Sequence, residues 1–194
     1  MPRPKKGAGI SAQQRLEDTF WDMFGQMPYS EITVASLSKG AKVNHNTFYY
    51  HYESIDEMAC RIFEKNFNLD CSTYNFLAFL AGTLDLKQVF GNYENCKLHF
   101  QRMCLVASSH STPWLRGMLK EVLIGLWLKS LHTGIDELDR DDLVFLDFTV
   151  AGFMSVLDRY RQDNDLSVFE SLMNSDLGKG LAASFSNLRR KLNA

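Results

Sequence analysis

The sequence predicts an all-α protein with an N-terminal helix-turn-helix domain and a larger C-terminal helical domain. Apolar residues recur at three- and four-residue spacings through most of the chain, which is typical of amphipathic helices. Polar capping residues precede several of these segments. Only four prolines interrupt the chain, and two of them lie within its first four residues. At 194 residues and 45% hydrophobic content, the chain can bury a substantial core in one or two domains.

The first predicted helix begins at Ser11-Ala-Gln-Gln14, which has the form of a capping box because a glutamine follows the serine by three positions. Leu16, Phe20 and Phe24 recur along it at helical spacing, and it ends near Pro28. Residues 1–9 form a short basic arm that we expect to be disordered. Whether this arm lies along a DNA backbone or serves as a solubilising tail stays open.

A helix-turn-helix is predicted over residues 33–52. Thr33 caps a short helix, Gly40-Ala-Lys42 breaks its pattern, and Asn44 caps the next helix. In that second helix Phe48 and Tyr52 lie four apart and face inward. The side chains predicted to face outward are His45, Asn46, Thr47, Tyr49 and His51. A polar and aromatic outer face is typical of a helix that enters the major groove, and an ordinary helical hairpin is the alternative.

The outward side chains carry groups that suit DNA. Thr, Asn and His bond to bases or phosphates, and Tyr hydroxyls bond to phosphates. The candidate DNA-binding residues are Thr33, Lys39, Lys42, Asn44, His45, Asn46, Thr47, Tyr49 and His51. The first 52 residues carry an excess of basic over acidic side chains whereas the remainder is net negative, which gives modest support because phosphate binding needs local positive charge.

A fourth helix is predicted from the capping box Ser54-Ile-Asp-Glu57, with Met58, Ile62 and Phe63 as its apolar residues. The domain boundary is placed just before it. Residues 1–53 then form the helix-turn-helix domain and residues 54–194 the ligand-binding and dimerisation domain.

Residues 11–65 resemble the TetR family of transcriptional regulators. The run Thr47-Phe-Tyr-Tyr-His-Tyr52 is the most specific part of this resemblance. The other matching residues are Phe20, Phe24, Ile32-Thr-Val34, Leu37, Ala41, Val43, Ser54 and Asp56-Glu-Met58. The resemblance implies a homodimeric repressor of palindromic operator DNA, an effector pocket in the C-terminal body, and a fourth helix that links pocket to DNA.

Three residues depart from the family pattern. Lys42 stands where the family usually has glycine, so the turn needs a strained left-handed backbone or a different geometry. Ile55 stands where a lysine often contacts a phosphate, and Asn46 replaces a small residue. Lys42 and Ile55 keep one alternative open, which is a helical small-molecule- or partner-binding protein with weakened DNA binding.

The C-terminal body is predicted to be helical over residues 94–109, 113–132, 140–163, 167–175 and 177–192, with a brief helix over 85–93. Thr112-Pro113 is a strong helix start because a capping residue precedes a proline. Gly178 and Gly180 indicate either a close helix approach or a frayed helix start.

An effector pocket is expected among large side chains of the body, some of which carry one polar tip. The candidates are Phe90, Tyr93, His99, Met103, Trp114, Trp127 and Phe148, and plain core packing is the alternative for each. We expect a hydrophobic or aromatic small molecule because no charged cluster in the body points to a charged one.

A dimer interface is implied by the resemblance for the last two long helices. Its candidate residues are Phe148, Gly152, Phe153, Val156, Tyr160, Leu181, Phe185 and Leu188. The sequence agrees, because the helix over 140–163 is apolar around more of its girth than one core can cover.

Catalytic, metal and membrane roles are not expected. The chain contains no phosphate loop, zinc-protease motif or nucleotide fingerprint, so we expect no cofactor and no metal. Asp139, Asp141 and Asp142 lie at a predicted helix start, where acids suit the helix dipole.

No apolar run is long enough for a membrane span, and we expect a cytoplasmic protein. The four cysteines are expected to be buried and reduced, with thiol sensing as the alternative.

Overall fold

The computed structural model describes residues 10–67, 93–159, 161 and 167–192. Over these ranges the chain is helical and contains no strand, which confirms the predicted all-α class. The chain divides into two compact units, Met1–Asn66 and Phe67–Ala194. None of the described helices is long and apolar enough to cross a membrane.

The N-terminal unit contains a helix-turn-helix preceded by one helix and followed by another. Its helices are α1 (Ala12–Gln26), α2 (Val34–Gly40), α3 (His45–His51) and α4 (Ile55–Phe67, which runs to the unit boundary), with a 3₁₀ turn at Tyr29–Glu31. The predicted caps are confirmed. The Oγ of Ser11 accepts from the N–H of Gln14 at 3.0 Å, and the Oγ of Ser54 accepts from that of Glu57 at 3.1 Å.

An aromatic cluster forms the core of this unit. Phe20 and Phe24 of α1 are fully buried, and the Trp21 ring stacks on Phe63 of α4 with centroids 5.8 Å apart. Tyr29 packs edge-on against both phenylalanines of α1. Because α1 supplies most of these rings, α3 and α4 are held mainly by packing against α1.

The division into compact units falls at residues 66/67, at the last residue of α4, and the domain boundary expected at residues 53/54 stays a prediction. Most of α4 belongs to the N-terminal unit because it is attached to α1 and to the 3₁₀ turn. The Tyr29 hydroxyl donates to Asp56 at 2.5 Å, and the Lys65 ammonium pairs with Glu17 at 2.6 Å. A capping box signals where a helix starts, and it carries no information about the unit to which that helix is attached.

The C-terminal unit contains α5 (Tyr93–Ala107), α6 (Pro113–Leu131), α7 (Arg140–Arg159), α8 (Ser167–Asn174) and α9 (Asp176–Leu192). Thr112 caps α6 as predicted, with Pro113 as its first residue. The Phe185 ring of α9 lies 4.8 Å from Trp127 and 4.9 Å from Phe145, centroid to centroid. The brief helix predicted over 85–93 lies, except for Tyr93, outside the described residues.

The acidic cluster predicted at a helix start lies there. Asp139 precedes α7, and its Oδ1 accepts from the N–H groups of Asp141 and Asp142 at 2.9 and 3.0 Å. Lys191 of α9 donates to Asp139 and Asp142, and the hydrogen bond from Lys191 lowers the pKa of Asp139 to about 2. The carboxylates therefore cap a helix and join α7 to α9.

The two glycines near the start of α9 have different roles. A Cβ at Gly178 would overlap the backbone of Leu172 and Met173 in α8, so this glycine permits the close approach of the two helices. A Cβ at Gly180 meets no described atom within 4 Å. The close-approach interpretation therefore holds for Gly178 and fails for Gly180.

Gly178→Ala should lower the free energy of unfolding by about 1–3 kcal/mol, because backbone atoms of α8 cannot move aside easily. Gly180→Ala in the same helix should instead raise it by up to about 1 kcal/mol, because alanine favours the helix. Urea unfolding followed by circular dichroism measures both. Equal effects of the two substitutions would contradict the assigned packing.

Candidate nucleic-acid interface

Helix α3 has a buried face and an exposed face. Phe48 and Tyr52 are 0% and 2% exposed and pack against each other with ring centroids 5.8 Å apart. Tyr49 and Tyr50 are 53% and 84% exposed. The exposed face of this seven-residue helix carries two large aromatic side chains, which suits contact with a partner surface.

The predicted outward residues of α3 lie on its accessible side. His45 and Asn46 are exposed, and Thr47 and His51 are half-buried. The Asn44 Oδ1 accepts from the N–H of Asn46 at 2.9 Å, which fixes the start of the helix. The N-terminal turn of α3 therefore presents an imidazole and an amide to solvent, groups that can hydrogen-bond to base edges.

The turn between α2 and α3 is closed by backbone hydrogen bonds around Lys42. The N–H of Val43 donates to the carbonyl of Ser38 at 3.0 Å, and that of Lys42 donates to Lys39 at 3.2 Å. Lys42 has φ of 53°, so of the two alternatives left open by the sequence the turn adopts the left-handed backbone. Lys42 and Lys39 are both exposed, which leaves two cationic side chains beside α3.

The remaining candidates cap helices. The Oγ1 of Thr33 accepts from the N–H of Ser36 at 3.1 Å, and Thr33 is exposed. Asn44 is also exposed while it caps α3. The nine candidate DNA-binding residues thus all lie on exposed or half-buried positions of one compact unit, and their contact with DNA stays a prediction.

Tyr50 was not among the candidates and is the most exposed large side chain of α3. It lies two positions from each of the buried residues Phe48 and Tyr52, which on a helix is about 200° away. The spacing of the inward residues therefore contained the signal that Tyr50 faces outward.

A buried carboxylate on α1 was also missed. Glu17 is 6% exposed, and its carboxylate accepts from the Tyr52 hydroxyl at 3.1 Å, from Gln13 Nε2 at 3.2 Å and from Lys65 Nζ at 2.6 Å. Burial raises the pKa of Tyr52 to about 12, so the phenol stays protonated and donates. We call Gln13, Glu17, Tyr52 and Lys65 the Glu17 cluster.

A second polar contact holds the start of α4. The buried Tyr29 hydroxyl donates to Asp56 at 2.5 Å, and burial together with this carboxylate raises the pKa of Tyr29 well above its usual range. The two contacts lie near opposite ends of α4.

Ile55 is the first residue of α4 and is half-buried. The TetR family, which residues 11–65 resemble, often has a phosphate-binding lysine at this position. A cation further along α4 reaches the end of α3. The Arg61 guanidinium donates to the carbonyl of His51 at 3.2 Å, pairs with Glu57 at 2.5 Å and lies 5.7 Å from the centre of the Tyr52 ring.

The candidate effector residues of the C-terminal unit are not all in one environment. Met103 and Trp127 are buried, whereas Trp114 and Phe148 are 44% and 70% exposed. His99 is half-buried. Phe90 and the side chain of Tyr93 lie outside the described residues. An effector-binding role for this set stays a prediction.

An apolar groove of about 230 Å³ lies between α7, α8 and α9. It contains five of the candidate dimer residues. Its lining comprises Phe148, Thr149, Gly152, Phe153, Val156, Leu172, Met173, Leu177 and Leu181. Phe185 and Leu188 are instead buried in the core of the C-terminal unit, and Tyr160 lies outside the described residues. We call this feature the α7–α9 groove.

The described cysteine side chains are those of Cys60 and Cys104, and both are free thiols. Cys104 is buried, and burial raises its pKa to about 12, while burial and nearby carboxylates raise that of Cys60. Neither is therefore activated as a thiolate. Within the described ranges, no group of histidine, cysteine and acidic side chains is arranged to hold a metal ion.

Comparison with known proteins gives little further information. No family model and no curated protein matches the chain. Among solved structures, the chain is similar to the dihydroxyacetone kinase operon activator DhaS, at 18% identity over 94% of this chain and 96% of that chain, with a TM-score of 0.36. So low a score supports no conclusion about function, which is inferred below from the geometry and the residues.

Lys42→Gly should raise the free energy of unfolding by about 0.5–1 kcal/mol, because glycine adopts positive φ without strain. If Lys42 holds a phosphate, the same change should weaken DNA binding and reduce by about one the slope of the log binding constant against the log salt concentration.

His132, which ends α6 at φ of 56°, provides the matched control. His132→Gly should stabilise similarly and leave DNA binding unchanged. Loss of stability in both variants would contradict the strain assigned to these turns.

Proposed function

We propose that this protein is a transcriptional regulator that binds palindromic operator DNA as a homodimer and is released by a small hydrophobic or aromatic effector, most simply as a repressor. The observation that carries the proposal is the two-sided α3. Phe48 and Tyr52 anchor it, and its polar and tyrosine-bearing face is exposed. The resemblance of residues 11–65 to the TetR family supports the same function.

The cationic side chains beside α3 fit this role. Lys39 and Lys42 are exposed next to a helix whose tyrosine hydroxyls can donate to phosphates. The exposed His45 and Asn46 at the N-terminal turn of α3 are placed where a recognition helix reads base edges. Phosphate and base contacts would thus come from different residues.

Binding is tested with a gel shift of the promoter next to the protein's own gene and of duplexes selected from a random library. Specific binding should survive competitor DNA and fall steeply between low and high salt. If no duplex survives competitor, the alternative of a helical small-molecule- or partner-binding protein is favoured. The presence of Ile55 where a phosphate-binding lysine is common is the observation on its side.

Substitutions on α3 should separate the two kinds of contact. Tyr49→Phe and His51→Ala should weaken binding to all sequences if these residues hold phosphates. His45→Ala and Asn46→Ala should relax preference at particular base pairs by about 1–3 kcal/mol each. Titration of specific and random duplexes followed by fluorescence anisotropy gives both quantities. Equal losses on both duplexes for all four variants would contradict this division.

A homodimer is supported by the exposed apolar surface of α7 and α9. Val144, Phe148 and Leu177 are 61%, 70% and 60% exposed, and the last two line the α7–α9 groove. A Cβ at Gly152 meets no described atom within 4 Å, so a second helix could approach its backbone. A second copy would cover these side chains. Binding to a palindrome requires that the two α3 helices of such a dimer reach successive major grooves, about 34–36 Å apart.

Phe148→Glu should raise the dimer dissociation constant by about 30-fold or more, because a charge would replace an exposed aromatic anchor of the groove. Ile135→Glu is the control, since Ile135 is 50% exposed outside the groove. Sedimentation velocity at micromolar concentration measures both variants. A wild-type protein that sediments as a monomer would refute the dimer.

Release by an effector is supported by the resemblance and by the apolar character of the candidates buried in the C-terminal unit. Met103 and Trp127 are 2% and 1% exposed. A ligand acts as an inducer only if it binds more tightly to the form that does not bind DNA. Once a selected duplex is in hand, a screen of aromatic and aliphatic compounds for its release tests this part of the proposal.

A further inference from the structure

The Glu17 cluster joins three helices of the N-terminal unit through one carboxylate. Glu17 belongs to α1, Tyr52 is the residue that ends α3, and Lys65 lies in the last turn of α4. Gln13 donates to Glu17 and also to the Tyr52 hydroxyl, at 3.2 Å in each case. The Lys65 ammonium also reaches Gln14 Oε1 at 3.4 Å.

The carboxylate is energetically dependent on this arrangement. A buried carboxylate needs hydrogen-bond donors and a nearby positive charge to remain ionised at low cost. Tyr52, Gln13 and Lys65 supply three donors, and Lys65 supplies the charge. Removal of any of these donors therefore perturbs the carboxylate, and with it the hydroxyl that holds the end of α3.

We infer that Glu17 is a positioning residue of the DNA-binding surface: its carboxylate, held by Lys65 of α4, fixes the C-terminal end of α3 through the Tyr52 hydroxyl. Glu17 is buried and contributes no group to the exposed face itself. This inference rests on the proposed function and adds to it a specific route by which the last turn of α4 affects the recognition helix.

Tyr29 and Asp56 hold the other end of α4, so α4 is attached to the rest of the unit near both of its ends. The Tyr29 contact reaches α4 from the 3₁₀ turn and does not touch α3. Arg61 of α4 also donates to the His51 carbonyl of α3. The Glu17 cluster is the described polar contact through which the last turn of α4 itself reaches the end of α3. A disturbed cluster should impair sequence recognition more than general attraction to DNA, because the exposed cations Lys39 and Lys42 lie outside α3 and remain in place.

The test uses the full-length protein with Tyr52→Phe, Glu17→Gln, Lys65→Met and the double variant Glu17→Gln/Lys65→Met. For a duplex selected by the wild type, each single variant should raise the dissociation constant roughly tenfold, and for a random duplex by less than about twofold. The double variant should bind no worse than Lys65→Met alone, because a neutral amide in place of the Glu17 carboxylate leaves no unpaired buried charge.

Two controls separate positioning from general loss of stability. Lys65→Arg keeps the charge and the donors and should restore selected-duplex binding. Lys120→Met makes the same substitution at an exposed ion pair of the C-terminal unit and should change nothing. In DNA-free protein, amide hydrogen exchange over residues 45–52 should be faster in the cluster variants, while exchange over α6 stays at the wild-type rate.

The inference is overturned if the cluster variants bind the selected duplex as tightly as the wild type and exchange normally over residues 45–52. It is also overturned if the effects of Glu17→Gln and Lys65→Met multiply in the double variant. Failure of the wild type to select any duplex would instead refute the proposed function. The exchange measurement would still decide whether Glu17 positions α3, because it needs no DNA.

Discussion

Burial of Phe48 and Tyr52 beneath α3 is the constraint on which the functional account depends. These two rings are 0% and 2% exposed and anchor one side of a helix only seven residues long. Once that side is fixed, the helical period directs Tyr49, Tyr50 and the residues of the first turn toward solvent. The surface proposed to meet DNA is therefore a consequence of packing on its opposite face.

The helices around α3 are held by a combination of aromatic packing and a few buried polar contacts. The aromatic rings of α1 supply nondirectional stabilisation, whereas Tyr29–Asp56 and the Glu17 cluster fix positions because hydrogen bonds are directional. This division explains why α4 is grouped with the N-terminal unit. It also means that α4 is held near both of its ends, so a displacement of α4 would be transmitted to α3.

The helices and their starts were largely predictable, because Ser11, Thr33, Asn44 and Thr112 are local signals that act within one turn. The inward direction of Phe48 and Tyr52 also followed from their spacing. The Glu17 cluster could not be predicted from spacing, because Gln13, Tyr52 and Lys65 come from helices far apart in sequence. Glu17 carries no local mark of burial beyond its position beside Leu16 and three residues before Phe20. The burial of Phe185 and Leu188 within the C-terminal unit likewise depends on packing between distant helices, which their periodicity along an apolar face does not specify.

The most direct test of the central claim is hydrogen exchange of the full-length protein with and without a duplex that it has itself selected. The account predicts that DNA protects backbone amides over Val43–Tyr52, because the exposed face of α3 and its preceding turn lie against the duplex. Protection confined to the C-terminal unit, or no protection in a sample shown to be fully bound, would contradict it.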